Sequence, residues 1–304
     1  MTAFRTHLDP HAAALMVGLC TIWGLQQVAI KLATPEVAPV LQSAIRSVGA
    51  VGLVWLWARR RGVDLRLDDG TLRPGLLAGL LFAGEFALLY WALRHTSASR
   101  GVIFLYTAPF LVSLAVVWRL PGEHMRPIQW AGLGLAFAGV VALFGEGLLK
   151  PAGNAWLGDM MMLGAAVLWA ATTLTVKFSR LATAAPEKTL LYQLAVSAVV
   201  LSALALALGE REVRALTPTV VASLGFQIVV VAAFSYACWF WLIRHYPATR
   251  LSAFSFLTPV MGVLAGVAFL DEPLTPAIIA AMTLVGIGIF LANRPPQGPS
   301  RRTP

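Results

Sequence analysis

Ten apolar stretches, at 12–33, 38–58, 74–94, 98–118, 127–145, 157–179, 187–208, 218–243, 250–270 and 275–293, leave only short polar connections between them. A bilayer core about 30 Å thick is crossed by roughly 20 residues of α-helix. Lipid supplies no partners for backbone N–H and C=O groups, so a crossing segment must be a helix or a strand of a closed barrel. The stretches lack the two-residue alternation of barrel strands. Composition agrees, with 58% hydrophobic and 12% charged residues where soluble domains carry about 25% charged. The expected fold is an all-α integral membrane protein of ten transmembrane helices. The first stretch is longer than a signal-peptide core and is not closed by a convincing small-x-small cleavage site, so it reads as a retained span.

The formal net charge of +9 comes from basic residues scattered between the apolar runs. They form no single stripe, which argues against nucleic acid. Sorted by alternate connections, sixteen Lys and Arg fall with the two termini and six on the opposite side, with Arg46 inside a span. Cytoplasmic loops carry the excess of basic charge, so both termini are expected in the cytoplasm. The tail 294–304, "RPPQGPSRRTP", is expected to be disordered on that side.

The chain also repeats itself. "YWALRHTSASRGVIFLYTAPF" at 90–110 aligns without a gap to "FWLIRHYPATRLSAFSFLTPV" at 240–260, with Trp91, Arg94, His95, Ala98, Arg100, Phe104 and Pro109 identical to Trp241, Arg244, His245, Ala248, Arg250, Phe254 and Pro259. "WGLQQVAIK" from Trp23 answers "WAATTLTVK" from Trp169. Such self-similarity marks a duplication: five spans in 12–147 and five in 156–293. An odd number of spans inserts the second copy upside down. Inverted repeats are a recurrent architecture of secondary transporters, whose substrate site lies near the midplane between the halves.

Ten spans in two such repeats, Trp and Lys in the first helix of each, Arg then Pro in the fourth, and "DEPLT" before the last helix resemble the drug/metabolite transporter superfamily. The similarity is to its EamA-domain branch and, within it, to bacterial exporters of the aromatic amino acid type. The resemblance implies an inner-membrane protein that exports amino acids and related small metabolites by alternating access. Sister families of this fold carry sugar phosphates, nucleotide sugars and drugs, which keeps a carrier of those classes as the alternative. A membrane receptor or scaffold that binds without flux is the rival from another class.

Candidate substrate-binding residues follow from polarity and position. Gln26 and Gln27 follow Trp23, and Thr172 and Thr173 follow Trp169; these uncharged groups suit a cavity for polar solutes or hydrogen bonds between helices. Gln193 is a further amide within a span. Tyr90, Tyr106 and Tyr236 lie within spans, where a phenol needs a hydrogen-bond partner. Glu85 is the one acid far from the end of a span. An ionisable group there faces the bundle interior, either to meet a substrate ammonium or exchange a proton, or to pair structurally with Arg46 or a glutamine. Pro109 and Pro259 sit mid-span and should kink their helices, as gating hinges or as static bends. Lys31 and Lys177 end their helices, where they can snorkel to the headgroups or hold an anion. Phosphorylated substrates would need several converging cations, and the interior offers Arg46.

No nucleotide loop, nucleophile elbow or zinc-binding spacing is present, so neither enzymatic activity nor a metal or other cofactor is expected. Cys20 and Cys238 read as packing residues. Gly75 with Gly79 and Gly262 with Gly266 are small-residue pairs that let helices approach closely. The expected partners are an amino-acid substrate and the lipid bilayer, with the chain acting as a monomer.

Overall fold

The computed structural model describes residues 8–119, 125–149, 155–270 and 273–294. The tail at 295–304 and the acidic pair of "DEPLT" lie outside them. Helices α1 (Pro10–Ala33), α2 (Pro39–Arg60) and α3 (Leu72–Ala92) are followed by α4 (Ala98–Leu105), α5 (Ala108–Arg119), α6 (Pro127–Phe144) and the short α7 (Glu146–Leu149). The second half holds α8 (Ala155–Phe178), α9 (Pro186–Ala207), α10 (Pro218–Gly225), α11 (Tyr236–His245), α12 (Ala248–Phe254), α13 (Leu257–Leu270) and α14 (Pro276–Ala292). Apart from one antiparallel bridge between Val37 and Val213, the described residues contain no strand.

Among the described residues, nine helical segments are long and apolar enough to cross a bilayer. α14 has 17 residues, about 26 Å at 1.5 Å per residue, the lower end of what spans. Prolines 10, 39, 127, 186, 218 and 276 open their helices, where the missing N–H is not needed and φ is already helical. α2 and α9 both stop at a glycine in the left-handed region, Gly62 (φ 65°) and Gly209 (φ 77°). Val63 N–H then reaches back to Ala58 C=O and Glu210 N–H to Ala205 C=O, the Schellman closure that only glycine makes without strain.

The expected kinks at Pro109 and Pro259 are breaks. Each proline lacks the N–H that would bond the carbonyl four residues back, and its ring crowds that carbonyl. The helix therefore ends at Leu105 in the first half and at Phe254 in the second, restarting at Ala108 and Leu257. Thr107 Oγ1 donates to Phe104 C=O at 2.7 Å and Ser255 Oγ to Ser252 C=O at 2.6 Å, beside the N–H of the same residue, which reaches the same carbonyl at 3.2 Å in each half. The span 218–245 is also irregular: residues 226–235, between α10 and α11, wind in wider i→i+5 turns.

Packing pairs the two halves. α1 lies on α13 as α8 lies on α5; α2 packs on α9, and α6 on α14. Exchanging each helix for its counterpart leaves this pattern unchanged. The α6–α14 crossing depends on absent side chains, since a Cβ on Gly288 would sit 2.3 Å from Ala136 N and one on Gly132 2.4 Å from Ala292 N. Gly24 brings α1 and α13 together in the same way, since a Cβ there would sit 2.6 Å from Gly262 N. Large apolar side chains such as Leu80, Val199, Phe269 and Phe290 remain more than half exposed on the outside, a surface suited to acyl chains.

Polar contacts define two faces. On the side where α1 begins, Tyr246 Oη donates to Asp9 at 2.9 Å, Lys177 Nζ to Tyr246 C=O at 3.3 Å, and Arg61 pairs with Glu187 at 3.1 Å. Lys188, buried, bonds Asp69 at 2.7 Å and the Arg66 carbonyl. The Lys188 ammonium, and then the Thr71 hydroxyl and N–H, hold the Asp69 carboxyl below the usual carboxylate range. On the far face Thr96 Oγ1 donates to Asp159 at 2.8 Å, and Arg100 forms an ion pair with the same acid. There Glu210 accepts Val40 N–H at 3.0 Å and Leu41 N–H at 3.1 Å. It thereby caps α2, whose own N-cap position, Ala38, has no side chain to offer.

Candidate functional site

A cavity lies among the helices midway between the two faces. Its wall comes from repeated triplets at i, i+3 and i+4, the spacing that places side chains on one side of a helix. α1 contributes Trp23, Gln26 and Gln27; α3 contributes Phe82, Glu85 and Phe86; α8 contributes Trp169, Thr172 and Thr173; α11 contributes Tyr236, Trp239 and Phe240. Leu89, Leu105, Tyr106, Gln193 and Thr258 complete the lining. The centres of water-sized molecules have about 170 Å³ available, room for on the order of ten waters at 10–15 Å³ each.

Aromatic rings are locked around this space. Trp23 donates its indole N–H to Ser235 Oγ at 2.9 Å, and its ring meets Trp239 edge-on at 5.7 Å between centroids. Ser235 passes its own proton to Val231 C=O at 2.6 Å, within the wide-turn segment that carries the chain into α11. Tyr106, at the break between α4 and α5, meets Trp169 edge-on at 5.6 Å. Thr172 and Thr173 donate back to Leu168 and Trp169 C=O, which leaves hydroxyl lone pairs as acceptors. Gln193 is fully buried, and neither polar atom of its amide has a hydrogen-bond partner among the described residues. Buried amides are normally satisfied, so this one is equipped to bond an occupant.

Trp23, Gln26, Gln27, Glu85, Tyr106, Trp169, Thr172, Gln193 and Tyr236 are thus brought to one cavity. Tyr90 is a correction. It shares a short hydrogen bond with Ser43 and packs on Phe86 at 6.2 Å, tying α3 to α2, and is not in the lining. Pro109 and Pro259 stand outside the lining too, beside the breaks they cause. Thr173, read with Thr172 as a cavity group, lines it as well, whereas Phe82, Phe86, Trp239, Phe240 and Thr258 were missed by sequence reasoning. Two of these continue a triplet begun by a chosen residue, so extending Tyr236 by three and four positions would have found Trp239 and Phe240. Glu85 lines the cavity and makes no ion pair with Arg46; the two act on each other only through space. Cys20 is buried with its thiol 3.4 Å from Phe254 C=O.

A multi-pass membrane protein with an aromatic, amide-bearing cavity walled by both halves of its chain is the class defined so far. The sequence pattern of the EamA-like transporter family matches residues 11–145 and 156–294, and the chain belongs to that family. The uncharacterized transporter YoaV of Bacillus subtilis (strain 168) is 26% identical over 281 residues, which is 91% of this chain and 94% of that one. A protein of Salmonella typhimurium named "Probable amino-acid metabolite efflux pump" is 26% identical over 292 residues, 93% of this chain and 94% of its own. A solved structure described as "Crystal structure of protein" superposes with a TM-score of 0.79 at 23% identity, over 93% of this chain and 98% of that one. That likeness concerns the fold.

Proposed function

We propose that this transporter moves amino acids and related small metabolites out of the cell by alternating access. In this reading ten spans form two inverted five-helix repeats, bounded near 12–147 and 156–293, in a bacterial inner membrane with both termini in the cytoplasm. Helix pairing that survives exchange of the halves supports the inversion, as does the meeting of the start of α1 and the end of α8 at Tyr246. The observation that carries the substrate reading is the cavity's chemistry: one carboxylate, three glutamines and several hydroxyls set among aromatic rings. Such a wall binds the charged backbone of an amino acid through few polar partners and tolerates varied side chains. The Salmonella relative's name points the same way.

Uptake of labelled amino acids into proteoliposomes, with and without a pH gradient, tests it. Saturable uptake that unlabelled amino acids suppress is the expected result. Substrate-independent leak alone would falsify the proposal. The second reading, a carrier of lipophilic cations, is favoured by one observation, the placement of Glu85 in the cavity wall. It requires that Glu85→Gln abolish transport of a lipophilic cation that wild-type protein moves.

A further inference from the structure

Arg46 has no place in the lining, yet it is the least satisfied group in the protein. It sits on α2 with 0% of its surface exposed, and none of its three guanidinium nitrogens has a hydrogen-bond partner among the described residues. An arginine cannot shed its proton to escape such a site. Buried charges are found paired, because removing one from water without a partner is strongly unfavourable. One compensation is the face of Phe86, whose ring centroid lies 4.8 Å from the guanidinium carbon. Cation–π attraction offsets only part of the lost hydration.

Phe86 is a cavity residue, so the cation stands directly behind the wall. Its charge is also felt by Glu85 and Tyr236, both of which line the same space. Opposite α2 runs α9, which carries Gln193, a buried lining residue whose amide has no hydrogen-bond partner among the described residues. A cation behind the wall, an acid in the wall that does not touch it, and an unsatisfied amide therefore belong to one cavity. The planar guanidinium fork is shaped for a carboxylate, to which it can donate two parallel bonds.

We infer that Arg46 is the carboxylate-binding residue of the transport site, and that with Glu85 it selects zwitterionic α-amino acids over the amines left when the carboxylate is removed. The substrate carboxylate takes the guanidinium as the Phe86 ring turns aside, while the ammonium lies toward Glu85. This assignment rests on the amino-acid reading above.

The test uses full-length protein in proteoliposomes with three probes of one side chain: phenylalanine, 2-phenylethylamine and 3-phenylpropionate. Wild-type protein should move phenylalanine in preference to the amine, and 3-phenylpropionate should compete with phenylalanine. Arg46→Gln should lower phenylalanine transport about tenfold or more, the size of a lost charge-assisted pair, and leave the amine at its wild-type rate; Arg46→Lys should restore part of the loss. Equal loss of both substrates in a monodisperse Arg46→Gln protein, or retained preference for phenylalanine, overturns the assignment and leaves the amino-acid reading standing. Should the variant fail to fold, failure of 3-phenylpropionate to compete in the wild type overturns the assignment by itself. Wild-type protein that moves the amine and no amino acid overturns both.

Discussion

Segments α4 and α12 descend from the same stretch of sequence, and they ended in opposite conditions. Between Tyr246 and Ala253 every residue is buried, and α12 packs on α5, α1, α11 and α14. Between Ser97 and Leu105, among residues whose side chains are described, Gly101 and Ile103 alone are buried. α4 rests on α8, α6 and α7, and its packing on α13 falls short of that of α12 on α5. The arginine at the equivalent position follows suit: Arg250 reaches Asn293 C=O at 2.8 Å inside the bundle, whereas Arg100 turns to Asp159 and to Leu148 C=O at 3.1 Å. The proline breaks are common to both, so the breaks alone do not determine packing. What differs is how tightly each face is packed. Among the described residues the bundle is tighter where α1 begins and looser on the far face, an asymmetry that the proposed alternating access would use.

The comparison can be attacked at its anchors first. Asp159→Ala removes the acid that holds α4 through Arg100 and Thr96. It should destabilise the protein by about 3 kcal/mol or more, the usual result of leaving one member of a buried pair, read as thermal unfolding in detergent. A loss under about 1 kcal/mol, as for an exposed pair, would mean α4 is not anchored there. Next in size is accessibility. In a Cys20→Ala, Cys238→Ala background, Leu105→Cys should react with a membrane-impermeant thiol reagent about a hundredfold faster than its counterpart Ser255→Cys, the factor set by about 2.8 kcal/mol of local opening. Equal rates would erase the asymmetry. Pro259→Ala returns the missing N–H and lets α12 and α13 fuse. Transport should slow about tenfold with substrate binding retained, as expected of a gate; an unchanged rate would make the break a static feature.

The smallest effect concerns the tighter side. Because the Asp69 carboxyl is held below its ordinary value, its contact with Lys188 contributes stability above about pH 4, the unfolded carboxylate value. The contribution is lost only as pH falls through the lowered folded value. Acidification from pH 7 to 5 should therefore leave this contact intact, while Asp69→Asn should lower the melting temperature slightly at either pH. A gap between the wild-type and variant melting temperatures that closes as pH falls from 7 to 5 would refute it.

Much of this architecture was legible because membrane insertion writes itself in composition. Apolar runs gave the spans, prolines opened the helices, and a gapless echo 150 residues away gave the duplication. Cavity residues could be chosen since polar groups within a span have few other places to go. The rest depended on distances that no sequence states. Arg46 read as a partner for Glu85, and only the fold separates them. Tyr90 looked like a cavity phenol until Ser43 on α2 claimed its hydroxyl. The wide turns of residues 226–235 leave no mark in side-chain spacing, and a mid-span proline in the sequence marks a kink or a break alike.

Glu210 has a bearing on how the chain is made. The first turn of α2 leaves the ribosome about 170 residues before the acid that completes it, so an amino-terminal fragment reaches the bilayer with that helix start still bare. Synthesis of the second copy is then also the last step in finishing the first, and a truncated product carrying five spans alone would retain an unsatisfied helix end that quality-control proteases can recognise.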